Sequence, residues 1–182
     1  MYKDDFIEAV KRTSNLGLSS PDVGACDSSS FLQKTNPTEL AKVIQKEIGL
    51  LSEKEIVGQC LSLHYRLKRV FTEFFDCPVF YTIGYVEFEK STMFKQTEES
   101  LAEMLKTGVE GEVSLHAWLT LPSMEVLDFS LPTSFAKVNN IPEGIGSAIA
   151  DQADKLSSNG MTYKPLIVGE DFLLKSKIVR LF

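Results

Sequence analysis

The sequence predicts an α+β fold in which N-terminal helices pack on an antiparallel β-sheet. Segments with helical spacing dominate the first 76 residues, and segments typical of strands then follow mostly one after another. Apolar residues make up 43% of the 182 residues and aromatic residues 10%, which is enough for a substantial core. We find no internal repeat or low-complexity tract. We therefore predict one domain over residues 1–182, with helices and a loop in 1–50 and the core in 52–182.

Two helices and a loop are predicted before the core. Residues 2–12 have the spacing of a short amphipathic helix. Residues 13–36 are rich in Ser, Asn, Gly and Asp and predict a loop or loosely held arm. Asn36, followed by Pro37, is a typical helix start, and the apolar spacing predicts a helix to about Ile48.

The long helical region, residues 52–76, carries a broad apolar stripe but admits two interpretations. Ser52 and Glu55 form a capping box, which favours one helix that starts two turns before Cys60. Gly58 offers a break, after which Cys60 would lie in the first turn of a new helix. A helix start favours the thiolate form of cysteine, whereas a mid-helix position would bury the thiol.

The remaining elements follow from β-branched and aromatic runs and from cap residues. In chain order we predict a strand over 79–89, a helix over 98–106 capped by Thr97 and stopped by Gly108, a hairpin of strands 113–121 and 124–131, a helix over 142–156, and closing strands over 162–168 and 172–182.

Charge and cysteine content limit the possible partners and compartment. The net charge is −6, and the basic run at 66–69 fits the solvated face of a helix, so nucleic acid is not expected. The first twelve residues lack the apolar stretch of a signal peptide, and no run approaches a membrane span. We therefore expect no membrane partner and a cytoplasmic location, with delivery by a route that does not use a signal peptide as the alternative. The odd count of three cysteines (Cys26, Cys60 and Cys77) predicts reduced thiols.

Cys60, His116 and Asp128 occur in that order, each in a setting that suits catalysis. Cys60 opens an apolar helical run, His116 begins one strand of the predicted hairpin, and Asp128 lies in the other. A thiol needs a neighbouring base to become a nucleophile at neutral pH, and the base needs a third group to fix its tautomer. The three residue types therefore predict a catalytic triad.

The hairpin provides a geometric test of the His116–Asp128 pair. A three-residue loop over 121–123 would place the two residues opposite each other, with Cβ atoms about 5 Å apart. A three-residue loop one position later would make them diagonal neighbours on one face, whereas a two-residue loop would separate them. A shared site thus requires an odd-length connection. A buried Asp128 also needs a partner, so a purely structural His–Asp pair is the alternative.

Two further residues are candidates for supporting roles. Gln59, together with the backbone N–H of Cys60, is a candidate oxyanion donor, and Trp118 is a candidate wall that excludes water, with core packing as its alternative role. His64 lies four residues after Cys60 on the same helical face, where it is a candidate alternative base, but a position on the helix surface is the prediction. A zinc site built from Cys60, His64, Cys77 or His116 is a rival hypothesis, but the spacings are poor for a tetrahedral site, so no metal or cofactor is expected.

The motifs Gly58-Gln59-Cys60, Leu115-His116-Ala117-Trp118-Leu119 and Val126-Leu127-Asp128-Phe129-Ser130 resemble the transglutaminase-like core of the papain-like superfamily. The resemblance covers about residues 55–131 and includes the helix–strand–hairpin order. It implies a papain-like fold with Cys60 as nucleophile, His116 as base and Asp128 as the group that orients the base. It further implies acyl chemistry on a protein, peptide or small amide substrate, by a protease, amidase, deamidase or transglutaminase-like activity.

The match departs from two branches of that superfamily. The amidases that cut cell-wall peptides favour an aromatic residue soon after the cysteine and Gly-His-Val at the histidine, and this chain has neither. Arylamine acetyltransferases carry an Arg-Gly-Gly run near the cysteine, which is also missing. A non-catalytic protein-interaction domain on the same scaffold is the main alternative, since a fold does not fix a function.

Overall fold

The computed structural model describes residues 1–24, 29–49, 51–57, 59–109, 111 and 113–178. Over these residues the protein combines α-helices with antiparallel strand pairs, so the predicted α+β class is confirmed. Backbone contacts group the chain into two compact units. Unit 1 contains Met1–Gly24, Phe80–Ala117 and Ala153–Phe182, and unit 2 contains Ala25–Val79 and Trp118–Gln152.

Helices and short strands alternate along much of the chain. The helices are α1 (Tyr2–Asn15), α2 (Phe31–Lys34), α3 (Pro37–Ile48), α4 (Glu53–Val57), α5 (Cys60–Phe75), α6 (Glu98–Thr107), α7 (Leu131–Asn139), α8 (Ala153–Ser158) and α9 (Asp171–Lys175). The strands are β1 (Phe80–Phe88), β2 (Ser91–Met93), β3 (His116–Thr120), β4 (Glu125–Asp128), β5 (Ile149–Gln152) and β6 (Met161–Val168), and a 3₁₀ turn spans Pro142–Gly144.

In unit 1, α1 lies against β6, which pairs antiparallel with β1. The helix buries Tyr2, Phe6, Ala9 and Thr13, whose spacing of three and four residues places them on one face. Its first turn is fixed because the Tyr2 N–H donates to the Asp154 carboxylate at 2.8 Å. The predicted N-terminal helix is therefore confirmed, and it runs three residues further than the sequence pattern indicated.

Side-chain hydrogen bonds join α1 to β6 in unit 1. The buried Thr13 hydroxyl donates to the Ala9 carbonyl at 2.7 Å and accepts the Val168 N–H at 2.9 Å, which joins α1 to β6. Lys164 on β6 donates to Asp5 on α1 at 3.0 Å, and this hydrogen bond raises the pKa of Lys164 above its ordinary value. The buried Thr13 follows the rule that buried polar groups are hydrogen-bonded, whereas the Lys164–Asp5 pair is partly exposed.

In unit 2, α5 presents an apolar face to an aromatic core. Phe71 on α5 is fully buried and stacks on Phe129, with ring centroids 5.1 Å apart and planes 6° apart. Offset aromatic pairs of this kind add to the free energy of burial. The helix ends at Asp76, which adopts a left-handed conformation with φ 49°, a common way for a helix to stop.

Glu125 is a buried carboxylate that anchors the segment before α3 to the hairpin. It accepts hydrogen bonds from the Ser30 hydroxyl, from the Phe31 N–H at 2.9 Å, from the Leu32 N–H at 3.2 Å and from the Ser123 hydroxyl. The residue is 1% exposed. These donors compensate the free-energy cost of burying the charge, and they hold the start of α2 in place.

The predicted cap residues are confirmed. Asn36 caps α3 by accepting from the Thr38 N–H, and Thr97 caps α6 by accepting from the Ser100 N–H. Gly108 follows α6 with φ 77°, a conformation that glycine adopts at little cost.

The prediction of a helix over 142–156 is wrong. The segment forms a 3₁₀ turn, then β5, then α8. Gly146 has φ 75°, which breaks any helix through it, and β5 pairs antiparallel with β4. The pairing of β5 with a distant segment, which local spacing cannot reveal, overrides the helical pattern.

The prediction of a closing strand over 172–182 is also wrong, because its first residues belong to the helix α9, Asp171–Lys175. Residues 179–182 lie outside the described part of the chain. The Asp171 carboxylate accepts the Ser19 N–H at 2.9 Å and lies 3.6 Å from the Lys175 ammonium one turn later.

The helix α7 was missed, because the sequence pattern assigned residues up to 131 to a strand. The helix α2 interrupts the loop predicted over 13–36.

Candidate functional site

Cys60 is the first residue of α5. The preceding helix, α4, ends at Val57, and Gln59 has φ −132° and ψ 29°, which is not helical. Gly58, the predicted break, lies outside the described residues. Cys60 is half-buried. The structure therefore places the thiol at a helix start, and the interpretation of one continuous helix is wrong.

A helix start concentrates donor groups around Cys60. The first N–H groups of an α-helix have no acceptor inside the helix, and the aligned peptide dipoles leave this end positive. Gln59 is exposed, and its side chain does not cap α5, although its carbonyl accepts the Leu63 N–H at 2.8 Å. Its side-chain Oε1 lies 3.5 Å from the Ser62 hydroxyl. The oxyanion role of Gln59 stays a prediction.

The hairpin connection has an odd length. The Leu121 N–H donates to the Glu125 carbonyl at 2.9 Å, and the Met124 N–H donates to the Leu121 carbonyl at 2.8 Å. Three residues, 122–124, thus form the loop, and Met124 has φ 64°. A three-residue loop that ends in a left-handed residue is a common hairpin connection. Of the two odd-length loops that the sequence allows, the later one is found.

The strand register follows from that loop. Leu119 is opposite Leu127 and Thr120 is opposite Val126, so Trp118 is opposite Asp128. Side chains alternate along a strand, so His116 lies on the same face of β3 as Trp118. Trp118 is fully buried, which is compatible with core packing as well as with a wall that excludes water.

Asp128 is fully buried at the end of β4 and organises the chain that follows. Its Oδ1 accepts the Ser130 N–H and the Leu131 N–H, both at 3.0 Å, and lies 3.3 Å from the Ser130 hydroxyl. Charge-assisted bonds to backbone N–H groups are among the stronger hydrogen bonds in proteins. One oxygen of Asp128 therefore fixes the turn from β4 into α7.

His64 is not the surface residue that the sequence predicted. Its side chain has no exposed area, and its ring stacks on Phe129 with centroids 5.8 Å apart. Nδ1 lies 2.8 Å from the Cys60 carbonyl, the Phe129 N–H donates to Nε2 at 3.1 Å, and Nε2 lies 3.6 Å from Asp128 Oδ1. The sequence signal for this burial is its spacing, because a residue four after Cys60 falls on the apolar stripe of α5.

His116 belongs to unit 1, whereas Cys60, Gln59, Trp118 and Asp128 belong to unit 2. Within unit 1 its ring is fully buried and stacks on Phe94, with centroids 4.9 Å apart and planes 17° apart. Phe94 follows β2 with φ 67°, a conformation that an aromatic residue rarely adopts. Unit 2 by itself therefore brings together Cys60, His64 and Asp128, but not the predicted base.

Cys77 follows the other end of α5 and has a different setting. Burial raises the pKa of its thiol to about 11, and the negative charges of Asp76 and Glu125 contribute to the shift. The thiol is thus protonated at neutral pH and is a poor nucleophile. Cys26 lies outside the described residues.

Within the described part of the chain, no group of three or more His, Cys, Asp or Glu side chains is arranged to hold a metal ion, and no helix is long and apolar enough to cross a membrane. Comparison with protein-family models, with curated proteins and with solved structures finds no match.

Proposed function

We propose that the protein is a cysteine-dependent hydrolase or acyltransferase that acts on an amide, with Cys60 as nucleophile, His116 as base and Asp128 as the group that orients the base. The fold proposed for it is the transglutaminase-like form of the papain-like fold, and the proposed location is the cytoplasm. The observation that carries the proposal is the position of Cys60 as the first residue of α5, where the N–H groups that have no acceptor inside the helix can serve as oxyanion donors.

The chemistry assigns one step to each group. His116 takes the proton of the Cys60 thiol, and the sulfur attacks the amide carbonyl carbon. The oxyanion that forms is stabilised by the Cys60 N–H and, in our proposal, by the Gln59 side chain. The imidazolium of His116 gives its proton to the leaving nitrogen as the C–N bond breaks, which leaves a thioester on Cys60. His116 then takes a proton from water or from an acceptor amine, whose attack releases the acid or the new amide.

The hairpin geometry supports the role of Asp128. Its Oδ1 is held by the Ser130 and Leu131 N–H groups of the turn into α7, which fixes the orientation of the carboxylate at the end of β4. Trp118 faces Asp128 across the hairpin, and His116 shares the Trp118 face of β3. The odd-length loop is the condition that a shared His–Asp site requires. A protein, peptide or small amide is the substrate class that this chemistry would take.

The test compares four proteins: the wild type, Asp128→Asn, His116→Ala and the double variant. We expect Asp128→Asn to fold, because its amide oxygen still accepts the Ser130 and Leu131 N–H groups. Each single variant should lower the rate at which iodoacetamide alkylates Cys60 at pH 7 by a similar factor, and the double variant should be little worse. Thermal unfolding of each variant must be measured first, because an unpaired buried group destabilises a protein.

The matched control is Glu73→Gln on the exposed face of α5, where Glu73 pairs with Arg69 and both side chains are more than half exposed. Surface pairs contribute little, so this variant should behave as the wild type. The proposal would be contradicted if neither Asp128→Asn nor His116→Ala changed the rate of Cys60 alkylation. It would also be contradicted if the effects of the two substitutions on that rate were additive in the double variant.

A second candidate function is a non-catalytic protein-interaction domain on the same scaffold. The complete burial of the His116 ring favours it, because a ring packed against Phe94 also serves as a structural residue. The two functions differ in the distance between the Cys60 sulfur and the His116 ring. A crystal structure that places these atoms within hydrogen-bond reach favours catalysis, and one that separates them favours the interaction domain.

A further inference from the structure

The ring of His64 is held in one tautomer by two backbone partners. The Cys60 carbonyl can only accept, so Nδ1 at 2.8 Å must carry the proton. The Phe129 N–H can only donate, so Nε2 at 3.1 Å must present its lone pair. The neutral imidazole with its proton on Nδ1 satisfies both partners at once, and the reverse tautomer satisfies neither.

One partner lies in α5 and the other directly follows β4, and these two elements of unit 2 carry proposed catalytic groups. Cys60 opens α5, and Phe129 directly follows Asp128 at the end of β4. The His64 ring therefore makes one hydrogen bond to the first residue of α5 and one to the residue that follows β4. The ring also stacks on the Phe129 ring, which in turn stacks on Phe71.

In this tautomer His64 does not donate a proton to Asp128. Nε2 lies 3.6 Å from Asp128 Oδ1, but it acts as an acceptor toward Phe129. Oδ1 accepts the Ser130 and Leu131 N–H groups. A doubly protonated ring would set its Nε2–H against the Phe129 N–H, two donors facing each other, so the geometry is that of the neutral form.

We infer that His64 is a positioning residue for the proposed reaction: in its neutral, Nδ1-protonated form it fixes the start of α5, with Cys60, relative to the end of β4, with Asp128. This inference rests on the proposed function. It assigns no proton transfer to His64. Its contribution is to hold two reacting groups in a fixed geometry, where a misplacement of about 1 Å can cost a factor of about 100 in rate.

Three substitutions separate the two hydrogen bonds. His64→Phe keeps a flat ring against Phe129 but loses both bonds. His64→Gln places an amide oxygen where Nε2 was, so that it can accept the Phe129 N–H, and His64→Asn places an amide N–H where Nδ1 was, so that it can donate to the Cys60 carbonyl. The bond to the Cys60 carbonyl lies within α5, whereas the bond to Phe129 joins α5 to the end of β4. His64→Gln should therefore restore more of the Cys60 alkylation rate than His64→Asn.

The first experiment measures the alkylation of Cys60 by iodoacetamide at about pH 7.5 on folded protein, with labelled peptides identified by mass spectrometry. We expect His64→Phe to lower the rate by about 10-fold to 100-fold, His64→Gln to recover a large part of the loss, and His64→Asn to recover less. Glu73→Gln on the same helix is the control and should match the wild type. If His64→Phe does not fold, the alkylation rates of His64→Gln and His64→Asn, each relative to the wild type, provide the same test.

The second experiment reads the tautomer directly. Nitrogen-15 spectra of the wild type should show His64 protonated on Nδ1, with a coupling across the hydrogen bond between the Phe129 nitrogen and His64 Nε2. The opposite tautomer, or the absence of that coupling, overturns the inference whatever the alkylation rates are.

The two proposals fail in different ways. If Asp128→Asn and His116→Ala lower the Cys60 rate but folded His64 variants do not, the inference about His64 is overturned and the proposed function stands. If neither Asp128→Asn nor His116→Ala changes the Cys60 rate, the proposed function fails, and with it the role of His64 in positioning. The nitrogen-15 result then still reports whether His64 joins α5 to β4.

Discussion

The two ends of α5 hold the same functional group in opposite surroundings. Cys60 is the first residue of the helix, at its positive end, and is half-buried. Cys77 lies just beyond Asp76, the residue that ends the helix, where burial and the charges of Asp76 and Glu125 raise the pKa of its thiol to about 11. The two thiols thus lie at opposite ends of the dipole of one helix.

The difference has a direct physical meaning. A thiolate at the start of α5 faces unsatisfied N–H donors, whereas a thiolate beyond its end would face the carbonyl end and two carboxylates. A thiol whose pKa is about 11 instead of the ordinary 9 has a thiolate fraction about 100-fold lower at neutral pH. Cys77 is therefore a poor nucleophile at neutral pH, and Cys60 is the nucleophile that we propose.

The largest effect is expected from removing the thiol of Cys60, and removing the thiol of Cys77 is the comparison. Cys60→Ala should abolish the fast phase of alkylation at pH 7 and lower any amide-cleaving or acyl-transfer activity by about 10³-fold or more, because the reaction loses its nucleophile. Cys77→Ala should leave both unchanged. Stopped-flow alkylation followed by peptide mapping measures the first effect, and loss of the fast phase in Cys77→Ala would reverse the assignment of the two ends.

The next effect concerns the buried carboxylate near Cys77. Glu125→Gln should lower the free energy of unfolding by about 2 kcal/mol, because an amide NH₂ replaces one of the oxygens that now accept from Ser30, Phe31 and Ser123. The same change should lower the pKa of Cys77 by removing a nearby negative charge. Urea unfolding and the pH dependence of Cys77 alkylation measure the two effects. An unchanged Cys77 profile would exclude Glu125 as a cause of the shift.

A smaller effect is expected on stability at alkaline pH. In the unfolded chain Cys77 loses its proton near its ordinary pKa of 9, whereas in the folded protein it does so at about 11. Between these values the unfolded state binds fewer protons, so stability should fall as pH rises from about 9 to about 11. Below pH 9 the contribution is fully present. Cys77→Ala should show a shallower fall in melting temperature over this range than the wild type, and equal slopes would contradict the shift.

The smallest effect on the protein as a whole is expected from Asp76→Asn. Asparagine tolerates the left-handed conformation of this position, so the end of α5 should be kept. Removing the charge should lower the pKa of Cys77 by only part of its shift, because burial is the largest cause. Alkylation of Cys77 between about pH 8 and pH 11 measures the change. A rise in that pKa would show that Asp76 acts in another way.

Local sequence signals were enough for the features that depend on a few neighbouring residues. The caps at Asn36, Thr97 and Gly108 followed from residue type. The start of α5 at Cys60 was one of two interpretations that the sequence left open, because the Ser52–Glu55 capping box favoured an earlier start. The odd length of the hairpin loop could be stated as a condition, but not chosen, because Pro122 is compatible with loops of either parity. Only the positive φ of Met124 and its hydrogen bond to Leu121 decide the register.

Features that depend on distant partners could not be predicted. The strand β5 exists because Ile149–Gln152 pairs with β4, and its own residues give only a weak strand signal. The position of the His64 ring depends on its hydrogen bond with Phe129, which is 65 residues away in the chain. Its burial was foreseeable from its place on the apolar stripe of α5, but histidine is an amphipathic residue whose exposure is decided by the partners it finds.

Selective alkylation tests the contrast between the two ends of α5 most directly. The protein is treated with limiting iodoacetamide at a series of pH values from about 5 to about 11, and the labelled fractions of Cys26, Cys60 and Cys77 are quantified by mass spectrometry. We predict that Cys60 is labelled first of the three below pH 7, and that Cys77 reacts only as pH approaches 11. Faster labelling of Cys26 or Cys77 below pH 7, or labelling of Cys60 only after denaturation, would contradict the assignment of Cys60 as the nucleophile.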